Sequence, residues 1–276
     1  MTILNPVTAT SVTTDVKTGL PVSLSYTTQE SSEHTIPCTS LLLAAGPWTG
    51  RVYNTLFPES EVKLPISNLA GWSVVFRHFT PIPASTAPCH SMFTTSTDEN
   101  FSPEVFSRIL PLTSGKGCHQ QDSGREIYLA GLNSWDIPLP SIATEVETAP
   151  ELQDPQIASL LRVARTIFSL PSAENKPGES ATKENDFLKV LRTGLCHRPV
   201  TPSGRPILTR LGPQHYAPHL VSPTGEAASD PECGHQGGLY VCAGHGPWGI
   251  ALSLGSGKVC ADLIMGYTKA PSQFGL

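Results

Sequence analysis

The residues best suited to chemistry lie in a glycine-rich segment near the C-terminus. Residues 244–249, Gly-His-Gly-Pro-Trp-Gly, match the pattern G-x-G-x-x-G and follow an apolar run at 239–243. Glycine lets a backbone approach a flat ligand closely, and a following helix offers free N–H groups and the positive end of its dipole. The segment therefore suits a ligand group that gains negative charge, but a purely structural strand-to-helix turn has the same pattern.

This pattern alone does not build a nicotinamide-dinucleotide site. Such a site needs a second strand and an acidic residue about 20 residues after the glycines. Asp262 has this spacing but falls inside a predicted helix, and too few residues follow Gly266 for another strand. The sequence also lacks a P-loop and a G-x-S-x-G nucleophile motif. Its cysteine and histidine pairs are too crowded or too scattered for a tetrahedral zinc site, so no metal site is expected.

The N-terminal region must position this segment through strands. Residues 22–26 alternate apolar and polar side chains, and 12–16 form a second candidate strand, with a turn at 17–21 between them. Residues 41–45 are an unbroken apolar run, which is typical of a strand covered on both faces. That strand is expected to end at Gly46.

The middle of the chain mixes strands with one clear helix. Residues 72–77 and 126–130 predict strands, and the apolar spacing of 155–170 predicts a helix. Asp154 is the expected N-cap and Pro155 the first helical residue. A polar loop is expected at 172–186 and a further strand at 188–197.

The C-terminal region is expected to end in a strand, a turn and a helix. After a short apolar strand at 206–210 and a long polar loop at 212–238, the strand at 239–243 leads into the glycine segment. A helix near 256–265 follows, and Gly266 is its expected C-cap.

Composition excludes several classes of protein. The 276 residues carry 18 basic and 23 acidic side chains, and with a pI of about 6.0 they show no basic stripe for nucleic acid. No apolar run approaches the length of about 20 residues that a membrane span needs. The seven cysteines lack the tight spacing of a disulfide scaffold, which favours reduced thiols and a cytoplasmic protein.

Three sequence blocks together resemble a known family. LLLAAGPWTGR (41–51), HRPVTPSGRPIL (197–208) and GLYVCAGHGPWGIALSLGSGKVCADLIMG (238–266) are similar to the FAD-dependent oxidoreductases of the D-amino-acid-oxidase type. Glycine oxidase and sarcosine oxidase belong to the same superfamily, which has many fungal relatives. The order of the blocks implies that the resemblance extends over nearly the whole chain.

The resemblance implies a mixed α+β and α/β fold. Residues 1–50 and 198–276 would form a partial FAD-binding domain, Rossmann-like and of the glutathione-reductase type. Residues 51–197 would form an inserted substrate domain built on an antiparallel sheet with helices.

The resemblance also implies roles for individual residues. The residues expected to contact FAD are Gly46, Gly244, His245, Gly246 and Gly249. Arg198 would grip the substrate carboxylate with two parallel hydrogen bonds, or serve as a salt-bridged scaffold residue. Cys196 stands where some relatives attach the flavin covalently, and is expected here to be a buried spectator thiol. Ser203 replaces an aspartate common in the family's T-P-D-G turn.

One part of the family pattern is missing. The family starts with a strand, a G-x-G-x-x-G turn, a helix and a second strand, which hold the adenosine and pyrophosphate, and nothing before residue 41 matches this unit. The chain is thus expected to be an N-terminally truncated form or a relative that lost the nucleotide site. The strand at 41–45 would then have a bare edge, which invites self-association or a partner chain.

Two functions remain open at this point. The first is an FAD-dependent oxidoreductase that oxidises an amine or amino acid by hydride transfer to flavin. The second is a non-catalytic remnant or interaction module that no longer binds FAD. Some fungal relatives act near endosomes, so endosome association is an alternative to a purely cytoplasmic location.

Overall fold

The computed structural model describes residues 1–78, 91–96, 99–109, 125–146, 150–168, 188–218 and 237–267. In these ranges the strands, in chain order, are β1 (Val7–Thr14), β2 (Pro21–Thr28), β3 (Glu33–Pro37), β4 (Ser40–Leu43), β5 (Ser67–His78), β6 (Ser91–Phe93), β7 (Glu104–Ile109), β8 (Arg125–Ser134), β9 (Leu188–Val200), β10 (Ile207–Leu211) and β11 (Gly238–Ala243). The α-helices are α1 (Thr49–Leu56), α2 (Pro155–Phe168) and α3 (Gly249–Met265). The loop expected at 172–186 lies outside the described residues.

The chain forms two compact units. The first contains Met1–Asn68 and Arg198–Leu276, and the second contains Leu69–His197. The second unit is therefore an insertion in the chain of the first, and the overall fold is mixed α and β with several sheets, as expected. Residues 51–68 group with the first unit rather than with the insertion, because Tyr53, Leu56 and Phe57 are buried in its core.

The first unit begins with an antiparallel meander, β1-β2-β3. The first strand ends at Thr14, two residues earlier than the pattern predicted. Asp15 stops it, because its carboxylate accepts hydrogen bonds from the backbone N–H groups of Lys17 (3.0 Å) and Thr18 (2.8 Å). These bonds close the turn that leads to β2.

The central sheet of the first unit has the order β10-β11-β4. Strand β11 runs parallel to β4, with Leu43 opposite Val241, and antiparallel to β10. Two strands that are almost 200 residues apart in sequence thus lie side by side with their carboxyl ends at one edge. Within the described residues, β4 pairs only with β11, so its other edge has no strand partner.

Helices cover the two faces of this sheet. On one face α1 packs Tyr53 and Leu56 into a core with Leu43 and Leu239. On the other face α3 packs against β10 and β11 and buries Cys260. Successive strand residues point to opposite faces, so Leu239 lies on the face covered by α1 and Cys242 on the face covered by α3.

The strand at 41–45 is not covered on both faces as predicted. Leu43 is 4% exposed, but Leu42 is 39% exposed. The reason is positional, because β4 is the outer strand of the sheet and α3 lies over its neighbours. An apolar run that fits a buried strand therefore remains partly open to solvent.

Helix α3 starts seven residues before the predicted position of 256. Gly249, Gly255 and Gly257 lower the helix propensity of this stretch, so its sequence suggests a turn. The predicted end is confirmed: Gly266 adopts a φ of +71°, and the N–H of Tyr267 bonds to the carbonyl of Asp262 at 2.9 Å.

The second unit is built on a five-stranded sheet of order β6-β7-β8-β5-β9, in which the pairs β6/β7, β7/β8 and β8/β5 are antiparallel. Helix α2 buries Ile157, Leu160 and Ala164 against it. Its start is as predicted, since Asp154 Oδ1 accepts hydrogen bonds from the backbone N–H groups of residues 156 (2.8 Å) and 157 (3.2 Å). No helix in the described part of the chain is both long and apolar enough to cross a membrane.

Candidate functional site

Two copies of one tripeptide end the parallel strands of the central sheet. Residues 46–48 follow β4 and residues 246–248 follow β11; both read Gly-Pro-Trp, and each forms one turn of 3₁₀ helix that continues into an α-helix. Gly46 has a φ of +55° and Gly246 of +56°, a left-handed conformation that suits glycine. Because β4 and β11 are adjacent and parallel, with strands about 5 Å apart, the two turns emerge side by side at one edge.

Both turns leave free space over their glycine. A Cβ added at Gly46 or at Gly246 would meet no atom within 4 Å. The next helical residue differs: Thr49 donates a hydrogen bond from its Oγ1 to the carbonyl of Gly46 at 2.8 Å, whereas Gly249 stands at the matching place and has no side chain. The second turn is thus the more open of the two.

Gly244, by contrast, is packed tightly. Its φ is +85°, and an added Cβ would lie 2.5 Å from Cγ2 of Thr201. Thr201 is itself buried, and its hydroxyl donates a 2.6 Å hydrogen bond to the carbonyl of Arg205. Gly244 is therefore required by the fold itself, as the point where the end of β11 meets the turn after β9.

That turn contains the serine that departs from the family pattern. The N–H of Gly204 bonds to the carbonyl of Thr201 at 3.0 Å, and Gly204 has a φ of +68°. Ser203 Oγ accepts a 3.2 Å hydrogen bond from the N–H of Arg205. A serine hydroxyl can take the local role of an aspartate carboxylate in such a turn, so this substitution leaves the turn intact.

Strand β9 brings Arg198 close to the glycine segment. Val200, its last residue, forms an antiparallel bridge with His245. Arg198 lies two residues earlier on the same face of the strand, and its side chain is half-buried. The bridge therefore places the end of β9 beside the glycine segment.

His245 is fixed by a contact that spans the start of α3. Its Nε2 lies 2.8 Å from Oγ of Ser256, a residue that is only 6% exposed. Ser256 is on the buried side of the helix, so the hydrogen bond joins the glycine segment to the body of α3. Sequence reasoning missed Ser256 because its role depends on a partner 11 residues away.

The start of α3 suits an anionic ligand group. No side chain caps this end of the helix, and its first turn has no acidic residue. Trp248, directly before the helix, is 57% exposed. The first N–H groups of a 17-residue helix thus remain without a side-chain acceptor.

Cys196 does not fit its predicted role as a buried thiol. It is exposed, because its side chain points away from the packed face of β9. Its neighbour His197 is half-buried, and burial lowers the pKa of that imidazole.

The doubled Gly-Pro-Trp was a signal available in the sequence. It follows an apolar run both times, and each copy precedes a helix. If the two strands are adjacent and parallel, both copies of the motif lie at the same edge of the sheet. Strand pairing is a tertiary property, so only the structure shows that β4 and β11 are adjacent and parallel.

Comparisons with known proteins assign the fold to a family. The family model described as FAD dependent oxidoreductase matches residues 1–263. The chain belongs to the FAD-dependent oxidoreductase family. This agrees with the order of the three sequence blocks and with the parallel pairing of β4 and β11.

Solved structures share the fold at low sequence identity. L-proline dehydrogenase from P. horikoshii matches with a TM-score of 0.55 and 14% identity over 97% of this chain and 52% of its own. Glycine oxidase from Bacillus cereus has a TM-score of 0.52 and 18% identity over 96% of this chain and 51% of its own. L-amino acid deaminase from Proteus vulgaris has a TM-score of 0.53 and 13% identity, with 94% and 54% covered. The chain spans about half the length of these proteins.

Proposed function

We propose that this chain is the flavin-edge and substrate-binding part of an FAD-dependent oxidoreductase that oxidises an amine or an amino acid. Family membership supports the reaction class. The three structural neighbours named above are, by their names, enzymes of amino acids or proline. The observation that carries the proposal is the pair of Gly-Pro-Trp turns at the carboxyl ends of two adjacent parallel strands. In open parallel sheets, ligands bind outside this edge.

The residues at this edge fit a flat, electron-accepting ring. Gly46 and Gly246 offer backbone with open space above it, and Gly249 adds no side chain at the start of α3. No side chain caps the first N–H groups of that helix, and its dipole favours negative charge on a ligand. When bound, FAD supplies the hydride acceptor for the C–H next to the substrate nitrogen. Gly244, packed against Thr201, and His245, bonded to Ser256, fix the conformation of the segment.

Arg198 is proposed to bind the substrate carboxylate. Its guanidinium can form two parallel hydrogen bonds with a carboxylate, a geometry that lysine does not reproduce. Arg198→Lys should therefore raise KM for amino acids more than it lowers kcat. Arg192→Lys is the matched control, since Arg192 is exposed on the same strand. Equal effects of both changes would contradict this role.

The free edge of β4 is proposed to take a parallel strand from another polypeptide. Leu42 is 39% exposed there, and on α3 Ile250 and Leu254 are 94% and 89% exposed. Parallel sheets are normally buried on both faces and flanked by helices. An added strand with its helix would cover these side chains and complete a nucleotide site.

The first experiment is the visible absorption spectrum of the purified chain with and without excess FAD. A bound-flavin spectrum supports the proposal, and peroxide release with a panel of amines and amino acids then identifies the substrate. Gly249→Leu should abolish binding by filling the open turn. Gly255→Leu is the control, because it makes the same change in the same helix at a site with no atom within 4 Å. A chain that is colourless as purified, and again after the excess FAD has been removed, would favour a non-catalytic protein.

A further inference from the structure

Two cysteines lie near the glycine segment, on the elements before and after it. Cys242 is on β11 and Cys260 is on α3, and both are free thiols. Helix α3 packs against β11, and the Cys242 side chain is near enough to raise the pKa of the Cys260 thiol. Neither residue is part of the proposed flavin or substrate contacts.

The contact follows from the path of the chain. Strand β11 runs into the glycine segment, and α3 returns across the same sheet face, so Cys242 and Cys260 lie on facing surfaces. The hydrogen bond between His245 and Ser256 holds the same two elements together nearer the turn. Cys260 is one helical turn beyond Ser256, which places both residues on the side of the helix that faces the sheet. The packing of α3 on β11 and the His245–Ser256 hydrogen bond thus hold the two cysteines near each other.

We propose that Cys242 and Cys260 are a redox-sensitive pair that hydrogen peroxide converts into a disulfide. The bond would join the two ends of the segment 243–259 and hold α3 against β11. This goes beyond the proposed oxidase function and does not depend on it, since the oxidant can be supplied from outside.

The two cysteines have different parts in the reaction. Cys242 is half-buried and Cys260 is 5% exposed, so Cys242 meets the peroxide first. Burial, together with the contact to Cys242, raises the pKa of the Cys260 thiol to about 11. The order of the two steps therefore rests on exposure: Cys242 reacts with the peroxide, and the protonated Cys260 reacts afterwards with the oxidised Cys242.

The reaction balances with one peroxide for each disulfide. The Cys242 sulfur attacks one peroxide oxygen, the O–O bond breaks, and the second oxygen leaves as water after taking up the thiol proton. The Cys260 sulfur then attacks the sulfenic sulfur of Cys242, the S–O bond breaks, and the oxygen leaves as a second water with the Cys260 proton. Two thiols lose two electrons and two protons, and the peroxide is reduced to two waters.

The test is peptide mapping of the full chain after treatment with equimolar hydrogen peroxide. Trypsin cleaves after Lys258, so the two cysteines fall on separate peptides, 211–258 and 259–269. The expected result is a linked peptide pair that dithiothreitol separates. Peptide 211–258 also contains Cys233, so the link should persist in Cys233→Ser and disappear in Cys242→Ser and in Cys260→Ala.

Hydrogen exchange gives a second measurement on the unsubstituted chain. The oxidised protein should exchange amide hydrogens in 243–259 about tenfold more slowly than the reduced protein, because local opening of α3 is restrained. No linked pair, a link that persists in Cys242→Ser, or oxidation of Cys242 to a sulfinic acid without a link would each overturn the proposal.

Discussion

Nε2 of His245 lies 2.8 Å from Oγ of Ser256 and so joins the glycine segment to the buried side of α3. His245 also bridges Val200 at the end of β9. One histidine therefore links a helix, a strand end and the more open of the two Gly-Pro-Trp turns. Its position depends on all three at once.

Ser256→Ala should loosen this arrangement. The change leaves a half-buried imidazole nitrogen without its partner, and we expect a loss of about 1–2 kcal/mol in the free energy of unfolding. Urea denaturation measures it. Ser253→Ala is the control, since Ser253 is exposed and, within the described part of the chain, its hydroxyl bonds only to the carbonyl of Ile250. Equal losses in both variants would contradict a special role for Ser256.

Gly244→Ala should cost far more than Gly246→Ala. Both positions have a left-handed φ, but at Gly244 a Cβ would also collide with Thr201 at 2.5 Å, whereas Gly246 has open space. We expect a loss of about 1 kcal/mol at Gly246 and about 3 kcal/mol or more at Gly244. Thermal unfolding of the two variants compares them directly. Similar midpoints would mean that the turn after β9 is not packed against β11.

The unpaired edge of β4 should cause self-association of the isolated chain. Leu42→Lys places a charge at that edge, and charged edge strands resist pairing. Light scattering should show aggregates for the unsubstituted protein and fewer for Leu42→Lys. Val22→Lys makes the same change on β2, where Val22 is 47% exposed, and should have no such effect. A monodisperse monomer of the unsubstituted protein would show that the edge of β4 does not cause self-association.

Tyr216 should make the protein sensitive to alkali. Its side chain is 3% exposed, its hydroxyl has no hydrogen-bond partner among the described residues, and burial raises its pKa to about 12. An unfolded tyrosine ionises near pH 10, so the unfolded state loses its proton first and stability falls as the pH rises from about 10 to about 12. Tyr216→Phe should reduce this fall, as measured by urea denaturation at several pH values.

Tyr53 is the matched contrast to Tyr216. Its hydroxyl donates to the carbonyl of His215 at 2.8 Å and lies 2.8 Å from Oγ of Ser60. At neutral pH we expect Tyr53→Phe to lose about 1–2 kcal/mol and Tyr216→Phe to lose almost nothing. The reverse order would show that Tyr216 has a partner that Tyr53 lacks.

Local signals in the sequence predicted local structure well. Asp154 with Pro155 marked the start of α2, and Gly266 marked the end of α3, because caps depend on nearby residues. The start of α3 was wrong because three glycines resemble a turn, and only packing on β10 and β11 makes them helical. No sequence pattern predicted the contacts of Ser256 and Thr201, since each contact joins residues that are distant in sequence. The exposure of Leu42 depends on its place at the end of the sheet, which an apolar run does not reveal.

The pairing of β4 with β11 also sets an order for events during synthesis. Strand β11 leaves the ribosome nearly 200 residues after β4, and at about 5–20 residues per second this takes about 10–40 s. Throughout that time β11 is not available to β4, and Leu69–His197 is completed and free to fold before β11 emerges. The nascent chain therefore carries an exposed apolar strand, and we expect it to depend on chaperones that shield such segments until translation ends.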